Sequence, residues 1–333
     1  MKPATHTIRI LPVAVVLLAA CVLAMPVGAQ GKGGGKGGGG GGGGPPANPE
    51  ITYVTTNSLY VMNADGSNQR RLFRNSGQGS VHAPCWSPDG ARIVFLARLG
   101  GLNALCVIDA DGAGLQIIHT MTNQDPLPSG AGPKPDWSPA ATPDGSERIV
   151  FADRNPATGF IDIFVIDPDG SNLRPLTDAA SSGGSYEWVC WTRDATGIVR
   201  TDGFLRLELM QLGLDGAGEL EVVAETLLYQ GALIAANPEA AHFQDWIVVS
   251  EWVFSGGYYN AVVLDITDPF NVVLVSVVDS GLSHLGVGFS ADDSELVYYR
   301  AAGSTSGIFR VDVLGGEEVP MLDKGYEPDW RGY

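Results

Sequence analysis

The sequence predicts an all-β fold, a six-bladed β-propeller of four-stranded antiparallel blades, on three observations. A tryptophan-to-turn phrase recurs, first as Trp86-Ser87-Pro88-Asp89-Gly90 and again as DWSPAATPDG from Asp136 to Gly145. Short apolar, β-rich runs follow each copy and are punctuated by Asp-Gly turns, with a period of about fifty residues. Fragments at the two ends of the domain add up to one complete unit.

Taken in order, ITYVTTNSLYVMNADGSNQRRLF from Ile51 to Phe73 supplies only the second, third and fourth strands of a unit. The stretch from Ala83 to Thr120 is whole. It has an apolar segment closed by Pro-Asp-Gly, runs at Ile93 to Leu96 and Leu105 to Ile108, an Asp-Ala-Asp-Gly turn and a last apolar segment. A second copy extends from Lys134 to Thr177. A degraded third keeps CWTRDATGIVRTDG from Cys190 to Gly203, with Asp215-Gly216 at the later hairpin. The fourth, between Asp245 and Val278, lacks the tryptophan phrase, and the fifth places Phe289 where tryptophan stood. EPDWRGY at the end supplies only a first strand. The terminal fragments must therefore pair, which closes a ring and protects sheet edges. Asp-Gly provides the positive φ that tight hairpins need. Trp86, Trp137, Trp191, Trp330 and Phe289 are expected to fill the space between neighbouring blades.

The phrase W-S-P-D-G, followed by an RIVF strand and a VIDADG or MNADGSN hairpin, resembles the repeat of the TolB-like propeller family. The resemblance is carried at Trp86, at Trp137 and, without the tryptophan, at Asn63 to Asn68, and it extends from Ile51 to the C-terminus. VVLDITDPFNVVLV is closer to a related propeller repeat with Asp-Pro in its hairpin. The resemblance implies a periplasmic or secreted six-bladed propeller that serves protein–protein contact. The family member of the Tol–Pal envelope system carries an α/β domain ahead of its propeller, where this chain has a glycine tether, so a role in that system is not implied. Similar repeats precede the catalytic domain of prolyl-oligopeptidase-type enzymes, but nothing here reads G-x-S-x-G.

Three regions follow: a signal peptide over 1–29, a glycine-rich flexible linker over 30–49 and the propeller over 50–333. Lys2 and Arg9, the apolar run from Ile10 to Met25 and the small residues Val27-Gly28-Ala29 form the leader. Leu18-Ala19-Ala20-Cys21 also reads as a lipobox, so cleavage after Ala29 and lipidation of Cys21 compete. From Gly31 to Gly44 glycine is interrupted only by Lys32 and Lys36. Its match to G-x-G-x-x-G is arithmetic, because no strand precedes it and no helix follows. No later segment is long and apolar enough to span a bilayer.

The formal net charge is −17, and every Asp and Glu lies beyond the tether. Such a field repels nucleic acid and acidic membrane surfaces, and the partner expected is a protein, bound by a monomer. Cys85, Cys106 and Cys190 show no C-x-x-C spacing and read as buried thiols. The aspartates of the D-G hairpins suit turns, in which Asp bonds its own backbone, and lack the further ligands of an EF-hand. No metal and no cofactor is expected.

Repeat alignment places His82, Lys134, Glu187, His284, Tyr326 and Glu327 at one mouth of the central channel, with His242 of the divergent fourth unit joining them. A converging His/Glu set can hold a metal or polarise a sugar acid. Two readings stand: an exported, non-enzymatic protein-binding or scaffold module, and a carbohydrate-active or other lyase- or hydrolase-like enzyme with its site at this mouth. The same residues also suit a polar funnel.

Overall fold

The computed structural model describes residues 50–331, apart from 78, 125–133, 140, 183–187, 202–205, 231–234, 254–255, 280 and 302–305. The expected leader, the tether and Glu187 lie outside the described residues.

Blade I opens with β1 (Ile51–Thr55), β2 (Ser58–Met62) and β3 (Arg70–Arg74). Blade II is β4 (Val81–Trp86), β5 (Arg92–Leu99), β6 (Leu102–Asp109) and β7 (Gln116–Thr120). Blade III is β8 (Asp136–Trp137), β9 (Ile149–Arg154), β10 (Ile161–Ile166) and β11 (Arg174–Pro175), followed by the single turn of α1 (Ala179–Ser182). Blade IV is β12 (Trp188–Trp191), β13 (Gly197–Thr201), β14 (Arg206–Leu214) and β15 (Leu220–Gln230). Blade V is β16 (Ala235–Ala240), β17 (Trp246–Val253), β18 (Tyr258–Asp265) and β19 (Val273–Val278). Blade VI is β20 (Ser283–Phe289), β21 (Glu295–Ala301), β22 (Gly307–Asp312) and β23 (Val319–Leu322). The chain then returns as β24 (Tyr326–Trp330), which pairs with β1 through Ile51↔Trp330 and Thr52↔Asp329 and completes blade I. The innermost strands abut in the order β24, β4, β8, β12, β16, β20 and back to β24. The ring is closed as the sequence predicts.

Blades are covered on both faces by their neighbours, so middle strands carry continuous apolar runs: Ile93 to Ala97 in β5 and Ile163 to Ile166 in β10 are all buried. The core is divided into six apolar clusters, one between each pair of adjacent blades. Trp86 wedges between blades I and II, Trp137 between II and III, Trp191 between III and IV, Phe289 between V and VI, and Trp330 between VI and I. Among the described residues, the interface between blades IV and V buries only aliphatic side chains and cysteine, with Tyr229 packed partly buried against them, because Ala240 stands at the wedge position.

The rest of the repeated phrase closes the first hairpin of blades II, III, IV and VI. Ser87 Oγ donates to Asp89 Oδ1 at 2.6 Å and accepts the amide of Arg92 at 2.9 Å, while Asp89 Oδ1 also accepts the Ala91 amide at 3.0 Å. Ser138, Thr192 and Ser290 accept the corresponding amides of Arg148, Gly197 and Glu295. The later Asp-Gly hairpins have a second constraint besides positive φ. A Cβ on Gly112 (φ 92°) would lie 3.0 Å from the Leu72 carbonyl oxygen of blade I, and one on Gly170 (φ 90°) would lie 2.9 Å from that of Ile118 in blade II. Glycine is thus required both by the turn and by the close approach of the preceding blade.

Candidate functional site

The registers of the six inner strands define equivalent positions around the channel. The residue before each wedge is Asp329 in blade I, Cys85 in II, Asp136 in III, Cys190 in IV, Glu239 in V and Gly288 in VI, each paired to the same position of the next strand. Carboxylates therefore occupy alternate blades. Lys134, two residues before Asp136, extends its ammonium to two of them and donates to Asp329 Oδ1 at 2.6 Å and to Glu239 Oε2 at 2.7 Å.

The acids also tie blade to blade. Asp329 Oδ2 accepts the amide of Trp86 at 2.9 Å, and Asp136 Oδ2 accepts that of Trp191 at 2.7 Å. Glu327 Oε2 accepts the amide of Ala83, its counterpart in blade II, at 2.7 Å. Ala83, Glu327 and Gly286 share one backbone device. All three have φ between 50° and 57°, and each lies in a bulge of its inner strand. The bulge turns the chain entering the channel and exposes an amide that a neighbouring carboxylate can take.

Burial works against the Lys134 charge, but the fields of Asp329 and Glu239 outweigh it and hold the ammonium protonated well above its ordinary range. Burial pushes Asp136 up to about 6 against the opposing field of Lys134. Glu239 is pushed up to about 8, by burial first and then by Asp329 and Asp136, with Lys134 again opposing. Cys85, whose Sγ lies 3.3 Å from Asp136 Oδ1, and Cys190 are raised by burial and by the surrounding carboxylates. All three described cysteines are free and buried. Low-pKa, accessible thiols are the reactive ones, and these have the opposite character.

Above this ring, on the side from which the inner strands enter, lie His82, Tyr326 and Glu327. His82 Nδ1 is 3.5 Å from Glu327 Oε1, and its ring centroid is 6.5 Å from that of Tyr326. Lys134 belongs to the acid ring. His284 stands apart: it is fully buried, with Nδ1 3.1 Å from the Tyr259 carbonyl of blade V and Nε2 2.8 Å from Glu318 Oε1. Register explains the separation. His82 pairs with Leu96 and His284 with Arg300, so His284 matches Val81 and points to the other face of its sheet. Burial works to raise the Glu318 carboxyl, but hydrogen bonds from His284 and Arg300 outweigh it and bring the group down to about 2. His242 follows its inner strand instead of preceding it and lines the opposite end of the channel.

At that opposite end a vestibule of about 150 Å³ is walled by Trp86, Trp137, Trp191 and Trp330, floored by the acids and rimmed by Arg193 and His242. Asp136, Glu239 and Asp329 were not singled out from the sequence as channel residues. The available signal was Lys134-Pro135-Asp136, Asn237-Pro238-Glu239 and Glu327-Pro328-Asp329, an X-Pro-acid triplet in three units. Among the described residues, no group of three or more His, Cys, Asp or Glu has the geometry to hold a metal ion.

No known family model matches the sequence, and no curated protein matches it. Solved structures do. TolB from Acinetobacter baumannii superposes with a TM-score of 0.63 at 17% identity, over 86% of this chain and 67% of that one. A putative TolB from Agrobacterium tumefaciens gives 0.53 at 17% identity, over 84% and 92%. A nidogen/laminin complex gives 0.60 at 11% identity, over 85% and 98%. By fold, the chain is a TolB-like six-bladed β-propeller.

Proposed function

We propose that the chain is an exported, non-enzymatic protein-binding module. The observation that carries this reading is the engagement of the channel's ionisable groups with one another and with neighbouring blades. Lys134 joins blade III to blades I and V, Asp329 and Glu327 join I to II, and Asp136 joins III to IV. Side chains committed to holding a ring together leave recognition to the loop-lined faces and the aromatic vestibule. The fold relationship supports the same reading, since it includes TolB structures and a nidogen/laminin complex, a protein–protein assembly. The fold alone hosts both binding and catalysis. Export to the periplasm or beyond, on a glycine tether, rests on the leader-like residues 1–29 and on the resemblance to TolB-like proteins. No helix among the described residues is long and apolar enough to cross a membrane.

The test is capture from cell-envelope extracts with the chain as bait, alongside metal analysis of the purified protein. A stoichiometric protein partner, retained by His82→Ala and His284→Ala variants, is the expected result. Stoichiometric metal that disappears on either substitution, with no partner captured, would favour the enzymatic reading instead.

A further inference from the structure

The interface between blades IV and V differs from the other five. Every other inter-blade cluster contains at least one buried aromatic ring, whereas this one holds Cys190, Val199, Leu207, Leu209, Leu228, Ile247 and further aliphatic residues. Facing sheets lie about 10 Å apart, a gap that rings fill better than valines. The shortfall is visible as an apolar cavity of about 180 Å³ near the outer strands, lined by aliphatic side chains that include Leu207, Val249, Val262 and Val277. A dry aliphatic cavity of roughly 150 Å³ is already large enough to take up benzene.

Two features give this cavity a chemical preference. Its polar wall consists of Glu251 and Tyr229. Burial raises the Glu251 carboxyl, and burial followed by the Glu251 charge raises the Tyr229 hydroxyl. No ion pair involves Glu251 among the described residues, and no Lys or Arg is among the residues that line the cavity. The entrance is apolar as well, because Leu274 and Val277, which line it, are both more than 40% exposed.

We propose that the cavity between blades IV and V is a binding site for a small amphiphilic amine, with an aromatic or branched apolar body in the cavity and a protonated nitrogen against Glu251. The ligand would supply a buried ring, where the described residues offer only the partly buried Tyr229 at the wall, and the positive charge that Glu251 lacks. This site is remote from the channel acids, and the proposal does not depend on the identity of the protein partner.

The probe is benzylamine, compared with benzyl alcohol and benzoate, titrated into the full chain and followed by saturation-transfer NMR and thermal shift. Benzylamine is expected to saturate about ten-fold more tightly than the alcohol, consistent with one added charge contact, and benzoate is not expected to bind. Glu251→Gln should lower benzylamine to the level of the alcohol and leave the alcohol unchanged. Val277→Phe, at a partly exposed lining position where folding is not at risk, should block both. The proposal is overturned by equal binding of benzoate, by benzylamine affinity unchanged in Glu251→Gln, by binding that survives Val277→Phe, or by the absence of saturable binding to any of the three.

Discussion

Replacing Lys134 with methionine preserves most of the stem and removes the one ammonium that donates to Glu239 and Asp329. Its side chain is 15% exposed, so solvent screens little of the interaction. Removing one partner of a buried pair costs about 3–5 kcal/mol. For a domain of this size each kcal/mol moves Tm by roughly 2–4 °C, which gives a loss of about 10 °C at pH 7.5. The deficit should also depend on pH with a definite sign. Lys134 is the charge that restrains Asp136, whose carboxyl burial already raises to about 6. Without it, Asp136 retains its proton to higher pH in the folded chain than in the unfolded one, and stability then falls as pH rises, by up to about 1.4 kcal/mol per unit. Acidification from pH 7.5 to 5 should therefore return about 2–3 kcal/mol of the deficit to the variant. Urea unfolding followed by tryptophan fluorescence at the two pH values measures both quantities. A deficit below about 1 kcal/mol at pH 7.5, or one that does not shrink on acidification, would refute the reasoning.

Four further outcomes follow from the same structure. Wild-type Tm should peak at about pH 5: the raised Glu239 and Asp136 lose stability as pH climbs through their folded values, and the lowered turn aspartates Asp65, Asp169 and Asp292 lose it as pH falls below the usual carboxylate range. A Tm that rises steadily from pH 5 to 8 contradicts this. Trp330→Ala, which empties the wedge against Ile51, Tyr53 and Val297, should cost about 3–5 kcal/mol by chemical denaturation. Gly170→Ala should cost about 2 kcal/mol and at least twice as much as Gly145→Ala. The φ values of the two are similar, but only Gly170 has a backbone wall within 4 Å, so equal costs would show that the turn alone matters. Cys85, Cys106 and Cys190 should resist a thiol reagent in the native chain and react together on unfolding, as read by mass spectrometry, since burial raises all three thiols.

The repeat made the architecture legible because each phrase serves a local purpose that any single copy reveals. Tryptophan fills a gap, serine and aspartate close a hairpin, and glycine takes the positive φ. Terminal pairing was legible because a count of strands left one missing at the start and one extra at the end. The channel chemistry was harder to read. Glu239 lies in the unit that has lost its tryptophan, so the residue marking the alignment was absent just where the third acid stands. His82 stands four residues before Trp86 but His284 five before Phe289, and because both inner strands carry the same one-residue bulge that offset carries straight through to the register. In a strand, one residue is the difference between facing the channel and facing the next blade.

Blade I takes its inner strand from the far end of the chain, and this has a consequence for biogenesis. Until Tyr326 to Trp330 emerge, β1 is a bare edge beside apolar Ile51 and Tyr53, a template on which strands from other molecules can assemble. A product interrupted before those residues keeps that template open, whereas a finished one covers it with its own last strand. Sealing the circle thus doubles as an inspection of whether translation reached the end of the domain.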